Sequence, residues 1–227
     1  MKVLALLPMK AESERVKGKN FRVFGNKPLF RWILDTLYDL EIIDKIVINT
    51  DARSILAKKG LLEDDRIIIR DRPLKICGNE VSMNKIINDD INNFDSDIYL
   101  MTHTTNPFLS KSSIENAILK FQDALSKEKI DSMFSVNKVQ ERFYSSSAKA
   151  LNHDPKNLIP TQNLEPWYKE NSNLYLFTKK SFNKTNARIG EKPMMLEMDP
   201  LESIDIDTPS DWDYAEAMIK FIKNSSK

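Results

Sequence analysis

The sequence predicts an α/β fold with a mostly parallel central sheet flanked by helices, on three observations. Apolar runs of strand length alternate with segments of helical period along most of the 227 residues. The runs are short and rich in Ile, Val and Leu, as strands buried on both faces are. Polar, charged loops follow several of them, where open parallel sheets bind ligands.

The first strand is Lys2–Leu7, followed by a polar loop over Met9–Asn20. A helix is expected from Pro28 to Leu40, because Leu29, Trp32, Ile33, Thr36 and Leu37 share a face and Pro28 suits a first turn. Lys45–Asn49 and Arg66–Arg70 read as the second and third strands, and Val81–Phe94 as a helix. Asp97–Met101 is a strand running into a Thr/His/Asn loop. A helix over Ser112–Ser126 then begins at Ser112 or Ser113 as cap, and Ser132–Val136 is a further strand. Residues 137–171 carry three prolines, several aromatics and no helical period, so they are expected to project as an arm. Leu174–Phe177 and Ser203–Asp207 complete the strands. Pro209–Asn224 is the closing helix, with Trp212, Ala215, Met218, Ile219 and Ile222 turned inward. The expectation is one domain over residues 1–227 with an arm at 137–171.

Composition narrows the function. With 34 basic and 33 acidic side chains, a general affinity for nucleic acid or an anionic membrane is not expected. The single cysteine, Cys77, excludes an internal disulfide and fits a reducing compartment. Met1–Pro8 is apolar but lacks a cleavage site and is too short to span a bilayer, so a cytoplasmic location is expected. Only five glycines are present, and neither GxGxxG nor GxxxxGK[ST] occurs, which argues against a dinucleotide fingerprint or a P-loop.

Four loops carry the candidate chemistry. Pro8–Asn20 (PMKAESERVKGKN) holds Lys10, Arg15, Lys17 and Lys19, either a side-chain cradle for polyphosphate or a solvated charged loop. In Ile204–Asp211 (IDIDTPSD), Asp205 and Asp207 lie two apart. In a strand both carboxylates face one side and suit Mg²⁺, whereas the plainer reading makes Asp207 the cap of the closing helix, with Thr208 and Asp211 in its first turn. Thr102–Pro107 (THTTNP) could grip a polyhydroxy substrate or simply turn into the next helix; His103 has no second His or Cys at ligand spacing. In Arg72–Lys85, Ser82 and Lys85 stand near a helix start that favours anions, or serve only as a helix entry.

In this order the motifs resemble the acylneuraminate and Kdo cytidylyltransferases. The resemblance rests on PMKAESERVKGKN, on the GNKPLF helix start, and on Asn49-Thr50-Asp51. It continues through Arg72-Pro73, His103–Pro107, Asn171–Tyr175 and the unaltered Asp-Ile-Asp-Thr of Asp205–Thr208. It implies a Rossmann-like nucleotidyltransferase fold, a magnesium ion, and transfer of CMP from CTP to an acidic sugar. By the same resemblance Pro8, Met9, Lys10, Asn20, Arg72, Ser82 and Asn84 meet the nucleotide. Lys10, Arg15 and Lys19 act on the triphosphate, and Asp205 and Asp207 hold the metal. His103, Thr105, Asn106 and Asn171 face the sugar, Arg142 or Lys169 meets its carboxylate, and the arm joins two copies into a dimer. Lys10 stands where the family usually has Arg, Glu14 near its loop Lys, His103 for Gln and Ser172 for Gly, which marks a divergent subgroup. Two other readings of the motifs are a glycosyltransferase using Asp-x-Asp for its metal, and a nucleotide-binding homologue without turnover.

Overall fold

A computed structural model describes residues 1–225. The strands are β1 (Val3–Leu6), β2 (Val23–Phe24), β3 (Lys27–Pro28), β4 (Lys45–Thr50), β5 (Ile67–Asp71), β6 (Ile98–Thr102), β7 (Ser132–Val139), β8 (Trp167–Phe177) and β9 (Pro193–Glu197). The α-helices are α1 (Leu29–Tyr38), α2 (Arg53–Lys58), α3 (Met83–Asn93), α4 (Lys111–Ser126), α5 (Lys179–Thr185) and α6 (Pro209–Ser225). Seven strands form one sheet in the order β5-β4-β1-β6-β8-β7-β9, and β2 and β3 form a separate hairpin. Within the large sheet only β8 runs against its neighbours, so the sheet is mostly parallel, as expected.

Burial on both faces explains the continuous apolar runs. In β1, Val3 and Ala5 pack with Ile33 of α1 and Phe121 of α4, while Leu4 and Leu6 pack with Ile87 and Ile91 of α3 on the other side. A third cluster seats α6 against the β2–β3 hairpin and the start of α1 through Trp212, Ala215 and Ile219 on Phe24 and Leu29. The Phe24 and Trp212 rings meet edge to face with their centroids 5.3 Å apart, which pins the start of α6 against the hairpin.

The structure corrects several expectations. Ser203–Asp207 is not a strand: Ile206 N–H bonds Thr105 O at 2.9 Å, which stitches the segment to the loop after β6 rather than to a strand. The cap of α4 is Ser110, which accepts from Ser113 N–H at 3.2 Å, because Lys111 already takes the first helical position. Pro28 precedes α1 in extended backbone, paired with Val23. Helices α2 and α5, strand β9 and the β2–β3 hairpin were not anticipated.

The 137–171 segment forms the far ends of β7 and β8, paired through Val139 and Trp167, with residues 140–166 between them. There Phe143 stacks on Trp167 at 4.9 Å, and Tyr144, Leu151, Leu158, Ile159, Trp167 and Tyr168 are exposed. Nearer the sheet the register jumps. Phe134 pairs with Tyr175 but Val136 pairs with Glu170, so β8 bulges outward between them. Among the described residues, no helix is long and apolar enough to cross a membrane.

Candidate active site

The carboxyl ends of β1, β4, β5 and β6 open on one cleft of about 390 Å³. Its walls bring together ten of the residues singled out from sequence: Pro8, Met9, Lys10, Lys19, Asn20, Arg72, His103, Thr105, Asp205 and Asp207.

The first loop is shaped by Gly18, whose φ of +61° lies in the left-handed region that a Cβ disfavours. That turn starts a short 3₁₀ segment, Lys19–Phe21, which buries Lys19 and Asn20. Lys19 Nζ donates to Ile206 O at 2.6 Å and to Asp207 Oδ1 at 2.9 Å, and Arg15 pairs with Asp207 Oδ2 at 3.0 Å. Asn20 ties the loop to two neighbours: its Nδ2 donates to Lys10 O at 2.9 Å, and its Oδ1 accepts from Thr104 Oγ1 at 2.7 Å. Lys10 Nζ reaches Asn79 Oδ1 at 2.7 Å, and Asn79 in turn donates to Glu14.

Arg72 is buried and fixed by β4. Its Nε donates to Asn49 Oδ1 at 2.9 Å, and a terminal nitrogen donates to Asn49 O at 2.7 Å and Met9 O at 3.3 Å. Burial pulls the guanidinium below its usual range. Behind it, Asn49 Nδ2 donates to Asp90 Oδ1 at 2.7 Å, while Asp90 Oδ2 is buried without a partner. Burial pushes the Asp90 carboxyl up to about 7.

The aspartate pair is differentiated. Asp205 is raised by burial, which a Thr105 hydrogen bond only partly offsets, and its Oδ1 is buried with no hydrogen-bond partner. Burial also acts to raise Asp207, but the Lys19 hydrogen bond and the Lys19 and Arg15 charges outweigh it and hold the group below its usual range. Asp207 is not the cap of α6. Thr208 takes that place, its Oγ1 accepting from Asp211 N–H at 3.2 Å while Asp211 Oδ2 accepts from Thr208 N–H at 2.7 Å. Capping therefore does not occupy the Asp207 carboxylate, whose two oxygens are held instead by Lys19 and Arg15 at the cleft. Both aspartates line it although their segment is not a strand.

His103 lies on the cleft floor, where burial first and the Arg188 charge second lower it to about 3. The ring is neutral at physiological pH, a hydrogen-bonding group and a weak base.

The remaining candidates lie elsewhere. Ser82 caps α3 by accepting from Asn84 N–H at 3.3 Å, and both line a neighbouring pocket with Arg188 rather than the main cleft. Asn106 is buried behind its loop, donating to Ile204 O at 3.4 Å. Asn171 turns back into the sheet and accepts from Ser135 Oγ at 2.6 Å. Arg142 donates to Ile159 O within the arm, and Lys169 is exposed on β8 opposite Asn137. The cleft also holds Ser13, Asn79, Thr104, Ser172 and Arg188, which the sequence did not single out for it. Ser172 arrives there on the β8 bulge at a φ of +57°, the position where a Gly-to-Ser departure was already visible.

Residues 4–224 match the family model described as Cytidylyltransferase. The chain is 27% identical to CMP-N,N'-diacetyllegionaminic acid synthase of Legionella pneumophila, over 97% of each chain. It is 25% identical to N-acylneuraminate cytidylyltransferase A of Danio rerio over 96% of its own length, and spans half of that relative. Its fold is similar to a structure of CMP-2-keto-3-deoxy-manno-octonic acid synthetase complexed with CTP, with a TM-score of 0.65 at 13% identity, covering 97% of this chain and 99% of that one.

Proposed function

This chain belongs to the cytidylyltransferase family of nucleotidyltransferases, and on that premise we propose that it transfers CMP from CTP to the anomeric hydroxyl of a sialic-acid- or Kdo-like sugar acid, releasing pyrophosphate. The observation that carries the reading is the convergence of Lys10, Lys19 and Arg72 with Asp205 and Asp207 on one cleft at the carboxyl ends of parallel strands. A cation-rich wall beside a carboxylate pair suits a polyphosphate whose charge grows on its leaving group.

In the proposed reaction the anomeric hydroxyl oxygen attacks the α-phosphorus of CTP and gives its proton to solvent, the bond from that phosphorus to the oxygen bridging to the β-phosphate breaks, and pyrophosphate leaves with that electron pair. Lys10, Arg15 and Lys19 balance the departing charge. Arg72 and Asn20 hold the nucleotide end of the cleft by fixing the backbone of Met9 and Lys10. His103, Thr105 and Ser172 offer neutral hydrogen-bonding groups to the sugar.

Magnesium fits the donor set. The Asp205 Oδ1 atom is buried and unpartnered, Asp207 opens on the same cleft, and two hard carboxylates leave the remaining positions to phosphate oxygens and water. When bound, the ion would supply charge neutralisation on the phosphates. The exposed aromatic and aliphatic side chains of the arm support the further proposal that two copies associate through residues 137–171.

Pyrophosphate release with CTP, Mg²⁺ and a panel of neuraminic, legionaminic, pseudaminic and Kdo acids tests the function. Release that needs CTP and one such acid supports it. CTP binding with no release across the panel favours the homologue without turnover.

A further inference from the structure

The cations of the cleft fall into two groups. Lys10, Lys19 and Arg72 belong to the side of β1, β4 and β5, where each is tied to Asn79, Asp207 or Asn49. Arg188 stands apart. It enters from the segment between α5 and β9 and lies over β6 and β8, two strands away from Asn49.

Its side chain is held but not satisfied. The guanidinium sits 3.7 Å from the centre of the Tyr175 ring, a stack that fixes its plane. One terminal nitrogen meets Glu170 Oε1 at 3.3 Å, a long single contact, and the other faces the Met101 sulfur at 3.7 Å, a weak acceptor. Among the described residues the Arg188 side chain meets no further acceptor. A guanidinium with only 18% of its side chain exposed has shed most of its water, yet keeps donors to spare. The same cleft offers the neutral His103, Thr104, Thr105 and Ser172, and of its two aspartates Asp207 is paired with Lys19 and Arg15. An arginine that braces this fold fills its donors, as Arg66 does with Tyr38 O at 2.6 Å and with Leu40 O and Ile43 O at 2.7 Å.

We propose that Arg188 is the anchor for the carboxylate of the acceptor, binding it through the face of the guanidinium fork that Glu170 leaves open. The inference rests on the sugar-acid reading of this same cleft and adds to it a residue and an orientation. The acid group lies over β6 and β8, with the anomeric hydroxyl turned toward the β1 side where the α-phosphate is held. Stacking on Tyr175 pre-organises the fork, so a planar, bidentate anion is favoured over a point-like one.

The test compares Arg188→Met and Arg188→Lys with wild type, using the sugar acid that the wild-type enzyme turns over best and the neutral carboxamide of that acid. Arg188→Met is expected to raise KM for the acid about 10- to 100-fold while leaving KM for CTP unchanged. The wild-type preference for acid over carboxamide should collapse toward unity in this variant. Arg188→Lys keeps the charge without the fork and should fall between. A purely structural role would lower the melting temperature and disturb both substrates without altering the acid-to-amide ratio. Wild-type turnover of the acid together with an unchanged ratio in Arg188→Met overturns this inference and leaves the functional reading standing. Wild-type turnover of a neutral sugar in preference to every acid overturns both.

Discussion

Lys19 Nζ lies 2.9 Å from Asp207 Oδ1 across 188 residues of sequence, and this contact closes the cleft by joining the first loop to the segment before the last helix. The same ammonium holds Ile206 O while Ile206 N–H bonds Thr105 O, so the aspartate pair is positioned by the loops after β1 and β6 and not by strand pairing. Charge placed by one end of the chain thus tunes a carboxylate supplied by the other.

Asp205→Asn and Asp207→Asn should both lose turnover, by about 100- to 1000-fold, if the pair holds the ion that neutralises the phosphates. They should part in stability. Asp205 carries a buried oxygen with no partner, so its replacement should leave the melting temperature unchanged or raised. Asp207→Asn removes two ion pairs and should lower it. Steady-state assays beside thermal melts check both, and equal loss of stability in the two variants would contradict the distinction.

Asp90 gives a pH signature. Its folded pKa, near 7, exceeds the ordinary carboxyl value of 3.8 because of burial, so the folded state holds the proton more tightly than the unfolded one. Its contribution to stability is therefore complete below pH ~4 and is lost as pH rises through about 7, a loss on the order of a few kcal/mol. Asp90→Asn should flatten the melting temperature between those limits. Chemical denaturation at intervals from pH 4 to 8 measures it, and an unaltered slope in the variant would assign the dependence to other groups.

Gly18→Ala meets no atom within 4 Å, so the cost is conformational strain at a φ of +61° and not a clash. About 1 kcal/mol of stability should be lost. Because Lys19 follows directly, KM for CTP should rise as well, which titration of CTP against the variant would show.

Thr208→Ala removes the hydroxyl that accepts from Asp211 N–H and donates to Asp211 Oδ2, leaves the Thr208 N–H bond to Asp211 in place, and should cost about 1 kcal/mol by denaturant titration. Since Thr208 and not Asp207 does the capping, turnover should fall far less than in Asp207→Asn.

The fold was legible where burial on both faces enforces unbroken apolar runs, as in Val3–Leu6 and Lys45–Thr50, and where one helical face repeats over several turns, as in α1 and α6. Short elements escaped. Helix α2 has six residues and a single buried one, Leu56, too little for a period to show. Strand β9 alternates exposed with half-buried methionine and leucine at the sheet edge, a weak pattern. Ser203–Asp207 imitated a strand through its alternation, but the isoleucines serve to pack on α6 and the first loop.

The basic loop and the aspartate pair could be read because motif and spacing coincide with the surrounding family pattern. Arg188 could not. The role proposed for it depends on Tyr175, Glu170 and Met101, which the chain brings together only after the sheet reverses direction at β8. Asn171 and Asn106 carry the right chemistry in sequence, but the bulge in β8 and the turn after β6 direct them into the protein.

The most direct test of the account is the mass of the product formed from CTP, Mg²⁺ and the sugar acids, measured with pyrophosphate in the same reaction. The account predicts a compound equal to the acid plus CMP less one water, formed in a one-to-one ratio with pyrophosphate and absent when UTP, ATP or GTP replaces CTP. Free CMP with pyrophosphate and no adduct, or an adduct only with a neutral sugar, would contradict it.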